Sequence, residues 1–389
     1  MNQTADSIPP STIRAPLLEA RRIVIKLGTR VLTHDDGSLA LSRLFGLIED
    51  AVALRRAGKD VIVVSSGAVG LGREALGFGT TPSEVVDRQA CAAVGQTRLM
   101  ALYQDGFGRL GLVAGQVLLS QSDFDDRDRC LNLRATLNRL LRRGVIPVVN
   151  ENDAVSTDEL TFLDEARPVF GDNDKLSALV ATELAADLLI LLTDVDGVYD
   201  QDPRGNPEAK LLTRVDSLVN LDGAGSSTSG SGRGGMRSKV AAAQIAARSG
   251  CHAVIACGRD FGVVGRAATG EAIGTWFPAR EDGLQSRRRW IAYATAPRGV
   301  LHLDAGAVRA VTERGASLLA AGVVSVEGGF DSGDVVELRG PQRELLGRGL
   351  MCCDADAARA WCAGTSPAGV RNHDALVHRR HLVLQPELE

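Results

Sequence analysis

Five lysines, Lys26, Lys59, Lys175, Lys210 and Lys239, stand among 44 basic residues, and the other 39 are arginine. Where arginine is the default cation, a retained lysine suggests a need for a compact point charge on a flexible stem. A moving phosphoryl group has that need. Lys26 and Lys239 both lie near glycines, in KLG and in GRGGMRSK. A third feature is an acid–amide cluster, Asp172-Asn173-Asp174, in the stretch FGDNDKLSALVA (170–181). Such a cluster can bind a metal, grip an ammonium group or cap a helix.

Other polar residues follow short apolar runs: Ser66 and Gly67, then Asn150, Asn152 and Asp153, then Thr193, Asp194 and Asp196. Two lysines with glycine-rich backbone suit a phosphate, and the acids and amides suit a small substrate carrying an ammonium. Phosphoryl transfer uses such an assembly, because it depends on positioning and positive charge more than on covalent chemistry. Each residue also has a plainer role: Asp172 or Asp174 as a helix cap, Lys26 as a surface charge, DVDG as a turn. Their recurrence at successive strand ends favours the site.

Standard motifs fail. No Walker A sequence occurs, since Lys239 follows GGMRS. Gly230, Gly232 and Gly235 fit G-x-G-x-x-G, but a serine–glycine loop precedes them instead of a strand. An EF-hand is excluded by Leu176 at the next ligand position. The six histidines make no H-x-x-x-H pair and the seven cysteines no CxxC, so no protein-held metal site is expected.

The elements that must position these residues are legible. Strands are expected at 22–28, 60–67, 111–120, 144–152, 187–194 and 252–258, with amphipathic helices at 39–57, 85–108, 126–143, 174–186 and 236–249. This alternation predicts an α/β domain with a doubly wound, mostly parallel sheet, whose ligands sit at the carboxyl ends of the strands. The serine- and glycine-rich stretch 223–239 cannot pack a core and reads either as a linker or as an anion-binding loop before a helix. Residues 1–20 read as a loose leader, 21–280 as the main domain and 281–296 as a joint. A small β-rich domain follows at 297–375, and a last strand and tail at 376–389.

Composition narrows the classes further. A net charge of −4 gives no general attraction to nucleic acid or anionic membrane. The longest apolar run, LLILL, is strand-sized, and the odd, scattered cysteines suit a reducing cytoplasm.

The segments VIKLGTRVL, VVSSGAVGLG, VVNENDAVST, FGDNDKLSA, LLTDVDGVY and GRGGMRSK resemble, in order and wording, the bacterial glutamate 5-kinases of the amino-acid kinase family. The likeness covers about 20–280, and the later segment resembles a PUA domain. TDVDGVY and KLG are common to the wider family, whereas NENDAVST, GDND and GGMRSK are narrower.

The resemblance implies an amino-acid kinase fold and ATP-dependent phosphorylation of the L-glutamate γ-carboxylate, the first step toward proline. It also implies a cytoplasmic homo-oligomer inhibited by proline, with Mg²⁺ delivered by ATP. Lys26, Lys239 and Asp174 would be catalytic. ATP would meet Lys26, Thr193, Asp194 and the run Arg233, Gly234, Gly235, Met236, Arg237, Ser238 and Lys239. Glutamate would meet Ser66, Asp153, Asp172 and Asn173. The chain departs from the family pattern at Arg233, where threonine is usual, and in the added length LDEARPVF (163–170).

Two rivals are weighed. Another amino-acid kinase, acting on aspartate, N-acetylglutamate, carbamate or UMP, is disfavoured by the narrow motifs. RNA binding through the PUA-like segment is disfavoured by its charge: ten arginines and no lysines against twelve acids over 297–389, a balance of −2.

Overall fold

The structure is a computed structural model describing residues 13–34, 36–155, 173–203, 205–206, 208–216, 235–280, 288, 290–294, 297–364 and 375–385. Its contacts divide the chain into two units. One holds 1–123 and 128–283, the other 124–127 and 284–389.

The first unit is built on a seven-stranded sheet. Its strands are β1 (Arg22–Leu27), β2 (Asp60–Ser65), β3 (Ala114–Leu119), β4 (Ile146–Glu151), β5 (Leu188–Thr193), β6 (His252–Cys257) and β7 (Thr275–Phe277). They lie in the order β3-β4-β2-β1-β5-β6-β7, all parallel except the β6–β7 pair. Every residue of β4 and β5 is buried, as continuous apolar runs require when helices cover both sheet faces.

The helices are α1 (Ala15–Leu18), α2 (Thr29–Leu32), α3 (Leu41–Arg56), α4 (Ala68–Ala75), α5 (Val85–Arg109), α6 (Ser122–Asp125), α7 (Arg127–Arg142), α8 (Asn173–Glu183), α9 (Met236–Arg248) and α10 (Val263–Ala268). Helix α6 straddles the division, with Ser122 and Asp123 in the first unit and Phe124 and Asp125 in the second. The chain leaves β1 toward β2 on one side and later places β5 on the other. Strand order therefore reverses about β1, and the crevice beyond the carboxyl end of β1 is where such sheets take ligands.

Two local devices shape this end of the sheet. Gly67 joins β2 to α4 with φ +104°, a left-handed conformation that L side chains rarely adopt. Helices α4 and α5 then meet backbone to backbone: a Cβ at Gly72 would lie 1.7 Å from the Cys91 carbonyl oxygen, and one at Gly95 would lie 1.7 Å from that of Ala68.

Residues 1–20 read from the sequence as a loose leader, and from Ile13 onward the structure corrects this. Arg14 is 6% exposed and donates to the carbonyl oxygens of Ile273, Thr213 and Gly274 at 2.7, 2.9 and 2.9 Å. Leu17 is fully buried in the core. Burial pulls the Arg14 guanidinium pKa down to about 10, and three carbonyls satisfy its donors.

The second unit has a six-stranded sheet. Its strands are β8 (Gly299–Leu303), β9 (Leu318–Leu319), β10 (Val323–Gly328), β11 (Val335–Arg339), β12 (Leu345–Met351) and β13 (Ala375–Leu384), in the order β10-β8-β11-β12-β13-β9. It has its own core, including Leu301, Val336, Leu338, Trp361 and Val377. The last strand, β13, pairs with β12 and β9 inside that sheet.

Candidate functional site

Lys26 is the fifth residue of β1, on a strand whose alternating side chains otherwise fill the core. Its ammonium lies 2.5 Å from Asp174 Oδ1. Gly28 follows, and a Cβ there would sit 3.4 Å from Lys26 Nζ, so the backbone passes directly beside the charge.

Asp174 is the second residue of α8 and fully buried. Its other oxygen, Oδ2, takes Lys239 Nζ at 3.1 Å and the Ser238 hydroxyl at 2.7 Å. Lys26 and Lys239 are 3% and 7% exposed. Two cations thus meet one carboxylate away from bulk water, and the trio carries one net positive charge.

Lys239 and Ser238 come from the first turn of α9, whose N-cap is Gly235 with no side-chain cap. A helix start without a side-chain acceptor leaves amide donors that suit an anion. Met236 is half-buried in that turn, while Gly235 and Arg237 are exposed.

Asn173, one residue before Asp174, belongs to a different network. Its Nδ2 donates to the Ser66 hydroxyl at 2.9 Å, to Asn150 Oδ1 at 3.1 Å and to the Ser65 carbonyl at 3.3 Å. Asn150 Nδ2 donates in turn to Gln96 Oε1 at 2.8 Å. Behind them the Tyr103 hydroxyl lies 2.7 Å from Ser65 Oγ. Burial pushes the Tyr103 phenol far above its ordinary range, so it stays neutral.

At the end of β5, Thr193 donates its hydroxyl to Asp194 Oδ1 at 3.3 Å, and Arg30 lies 3.5 Å from Asp194 Oδ2. Burial acts to raise the Asp194 pKa. Its own backbone amide, Arg30, the Thr193 hydroxyl and Arg259 outweigh that, and the carboxyl is held below its ordinary value.

Of the residues singled out in the sequence, Lys26, Asp174, Ser238 and Lys239 converge directly, as do Ser66 and Asn173. Thr193 and Asp194 form a separate pair at the next strand end. Asp153 is half-buried in the turn after β4. Asp172, Arg233, Gly234 and the added segment 163–170 lie outside the described residues.

Sequence reasoning assigned no role to Gln96, Tyr103 or Arg30, and noticed Asn150 only as a strand end. Gln96 and Tyr103 had one available signal: seven residues apart, they share a face of α5 with Leu99 and Met100, where polar side chains need partners. Among the described residues no group of three or more His, Cys, Asp or Glu could hold a metal ion, and no helix is long and apolar enough to cross a membrane.

The sequence pattern of the amino acid kinase family matches residues 21–257, and that of the PUA domain matches residues 299–368. The chain is 43% identical over 379 residues to a glutamate 5-kinase of Trichlorobacter lovleyi, covering 95% of this chain and 98% of that one. A glutamate 5-kinase of Bradyrhizobium diazoefficiens is also 43% identical, over 376 residues and the same shares of both chains. That of Shewanella woodyi is 44% identical over 373 residues, covering 94% of this chain and 98% of its own. The chain therefore belongs to the amino acid kinase family and, within it, to the glutamate 5-kinases.

Proposed function

We propose that this protein transfers the γ-phosphoryl group of ATP to the γ-carboxylate of L-glutamate. The product is L-glutamyl 5-phosphate, an acyl phosphate that opens proline biosynthesis. The observation that carries this reading is the buried carboxylate of Asp174 held between the ammonium groups of Lys26 and Lys239.

Phosphoryl transfer spreads negative charge over the oxygens of the moving group, and fixed cations in a water-poor site stabilise that charge. Lys26 and Lys239 supply the cations. Asp174 takes one ammonium on each of its oxygens and so fixes their separation. Both side chains are long and flexible, and without such a tether the charges would have to be positioned anew in each turnover.

The residues present fit a nucleoside triphosphate, because the start of α9 has no side-chain cap, leaves amide donors for an anion, and carries Lys239 in its first turn. Thr193 and Asp194 are assigned to the nucleotide, as is the run from Arg233 to Lys239. Magnesium enters as part of MgATP, since it favours phosphate oxygens and water with only one or two carboxylates.

Ser66, Asp153, Asp172 and Asn173 are assigned to glutamate. Neutral and acidic groups there suit an α-ammonium, whereas the lysines suit the phosphoryl acceptor and donor. The reading includes proline as feedback inhibitor, checked by titrating proline into the assay, and self-association, checked by light scattering.

The direct test is acyl-phosphate formation from ATP and L-glutamate, trapped with hydroxylamine. Hydroxamate should appear with glutamate and not with aspartate, N-acetylglutamate or carbamate, and ADP release should show no turnover with UMP, whose phosphoanhydride product gives no hydroxamate. Equal yield from one of those acceptors would overturn the substrate assignment.

A further inference from the structure

Three amide side chains from three separate elements form one hydrogen-bonded row: Asn173 on α8, Asn150 on β4 and Gln96 on α5. The direction of the row is fixed at one end. Asn173 Nδ2 reaches the Ser65 backbone carbonyl, which can only accept. Asn150 must then present its oxygen to Asn173 and its amino group to Gln96. Gln96 in turn must present Oε1.

One group is left over at each end. Asn173 Oδ1 and Gln96 Nε2 are both buried and lack a hydrogen-bond partner among the described residues. Gln96 itself is 8% exposed, and Asn150 2%. Buried polar atoms are rarely left unsatisfied, so an acceptor kept in this state points to a donor supplied by a ligand.

We infer that Gln96 is a positioning residue for amino-acid recognition: through Asn150, it keeps Asn173 Oδ1 as the acceptor for the substrate's α-ammonium. This deepens the glutamate kinase reading and rests on it. A primary amide turned by half a rotation exchanges acceptor for donor with little change of shape, so only its neighbours decide which group it offers. Without Gln96 Oε1, the buried amino group of Asn150 loses its acceptor. Asn150 is then free to turn that amino group toward Asn173, where it opposes the Asn173 amino group and competes with the 3.3 Å bond to the Ser65 carbonyl that otherwise holds Asn173 in place. An Asn173 turned over in this way would offer N–H donors to an ammonium, which cannot accept.

Helix α5 is suited to this role. The same helix sends Tyr103 to Ser65, so it supports both the row and the carbonyl that sets its direction.

The test compares Gln96→Leu, which removes the acceptor at similar volume, with Gln96→Glu, whose carboxyl is driven to the neutral form by burial and keeps an acceptor oxygen. Steady-state KM is measured for L-glutamate and ATP, with glutarate, the same dicarboxylate without the ammonium, as a competing ligand. Gln96→Leu should raise the glutamate KM about tenfold, the size expected for one lost polar contact to a charged group. The ATP KM should stay unchanged, and the preference for glutamate over glutarate should shrink by a similar factor. Gln96→Glu should restore most of that preference. In an Asn173→Ala background, Gln96→Leu should add nothing further to the glutamate KM.

Wild-type preference in Gln96→Leu, equal loss for ATP, or fully additive effects with Asn173→Ala would each overturn the inference. If Gln96→Leu does not fold, Gln96→Met makes the same comparison with an unbranched chain. A wild-type enzyme that turns over ATP without glutamate overturns the underlying function. Glutamate dependence with an unchanged glutarate ratio in the variants overturns only the role of Gln96.

Discussion

From the first turn of α8, Asp174 reaches Lys26, Lys239 and Ser238, while Asn173, its neighbour in sequence, reaches Ser66, Asn150 and through it Gln96. The first network is ionic and compact. The second is neutral and extended, running from strand ends into the face of a helix. A charged group placed in the neutral row would be buried without a matched partner, and a neutral group between the lysines would leave two ammonium groups opposed. The helix start thus divides the work. On the proposed function, the charge serves the phosphoryl group and the directional hydrogen bonds serve the amino acid.

The largest effect should come from breaking the ionic side. Lys26→Ala and Lys239→Ala should each lower kcat by at least a hundredfold, about 3 kcal/mol, as for removal of one preorganised transition-state stabiliser. Asp174→Ala should lower kcat and also destabilise the fold, because breaking a buried ion pair costs roughly 3–5 kcal/mol. Arg30→Ala should matter far less to stability, since a half-exposed pair such as Arg30–Asp194, screened by solvent, contributes about 1 kcal/mol or less. Thermal melts and saturating-substrate kinetics check all four variants. Near-normal turnover in either lysine variant would remove the ionic network from the chemistry.

The neutral side should break differently. Asn173→Ala should raise the glutamate KM by roughly tenfold to a hundredfold, with the ATP KM nearly unchanged, through loss of hydrogen bonds to a charged ligand. If the ATP KM rose instead, the two networks would be assigned to the wrong substrates.

How much of this division was legible from the sequence differs between the two sides. The ionic side was partly readable, because lysine is so rare here that Lys26 and Lys239 stood out. The residues alone left Asp174 in a cluster that could bind a metal, grip an ammonium or cap a helix, and its catalytic role came only with the family resemblance. The strands were also readable, since buried parallel strands are continuous apolar runs. The strand order was not. It depends on which distant runs pair, and no local pattern records that.

Helix α4 escaped notice because SGAVGLG looks like turn sequence. Its Gly72 serves close approach to α5, which only the partner helix reveals. Gln96 escaped because a glutamine within a helix usually marks a solvated face, and its partner Asn150 is 54 residues away. Arg14 escaped for the same reason, with acceptors 199 to 260 residues distant.

Gly95 offers a way to sharpen the comparison, because it adjoins Gln96 on α5 and packs against the backbone of Ala68 and Gly72 on α4. A Cβ there would lie 1.7 Å from the Ala68 carbonyl oxygen, so Gly95→Ala must push α4 and α5 apart. Overpacking of this kind costs roughly 1–3 kcal/mol or more. The expected outcome is a lower Tm and a raised glutamate KM, with kcat at saturating glutamate reduced only a few-fold. A fall in kcat without a change in glutamate KM would show that α5 supports the lysines instead.

The smallest effect on turnover should follow removal of the second unit, with the chain ended after Gly283. All members of both networks, from Lys26 to Lys239, belong to the first unit. Each unit also has its own buried cluster, so neither needs the other to complete a core. One segment complicates the cut. Residues 124–127 group with the second unit, and Phe124 is fully buried, so truncation uncovers an aromatic side chain. An exposed aromatic lowers solubility more than it alters chemistry. The truncated protein should therefore keep glutamate-dependent turnover within a few-fold of the full chain while aggregating more readily. Phe124→Ser in the truncated chain should recover part of the lost solubility, checked by size-exclusion chromatography alongside the hydroxamate assay. A soluble, folded truncation without turnover would mean that the two networks do not suffice for the reaction, and that the second unit supplies a group to the site.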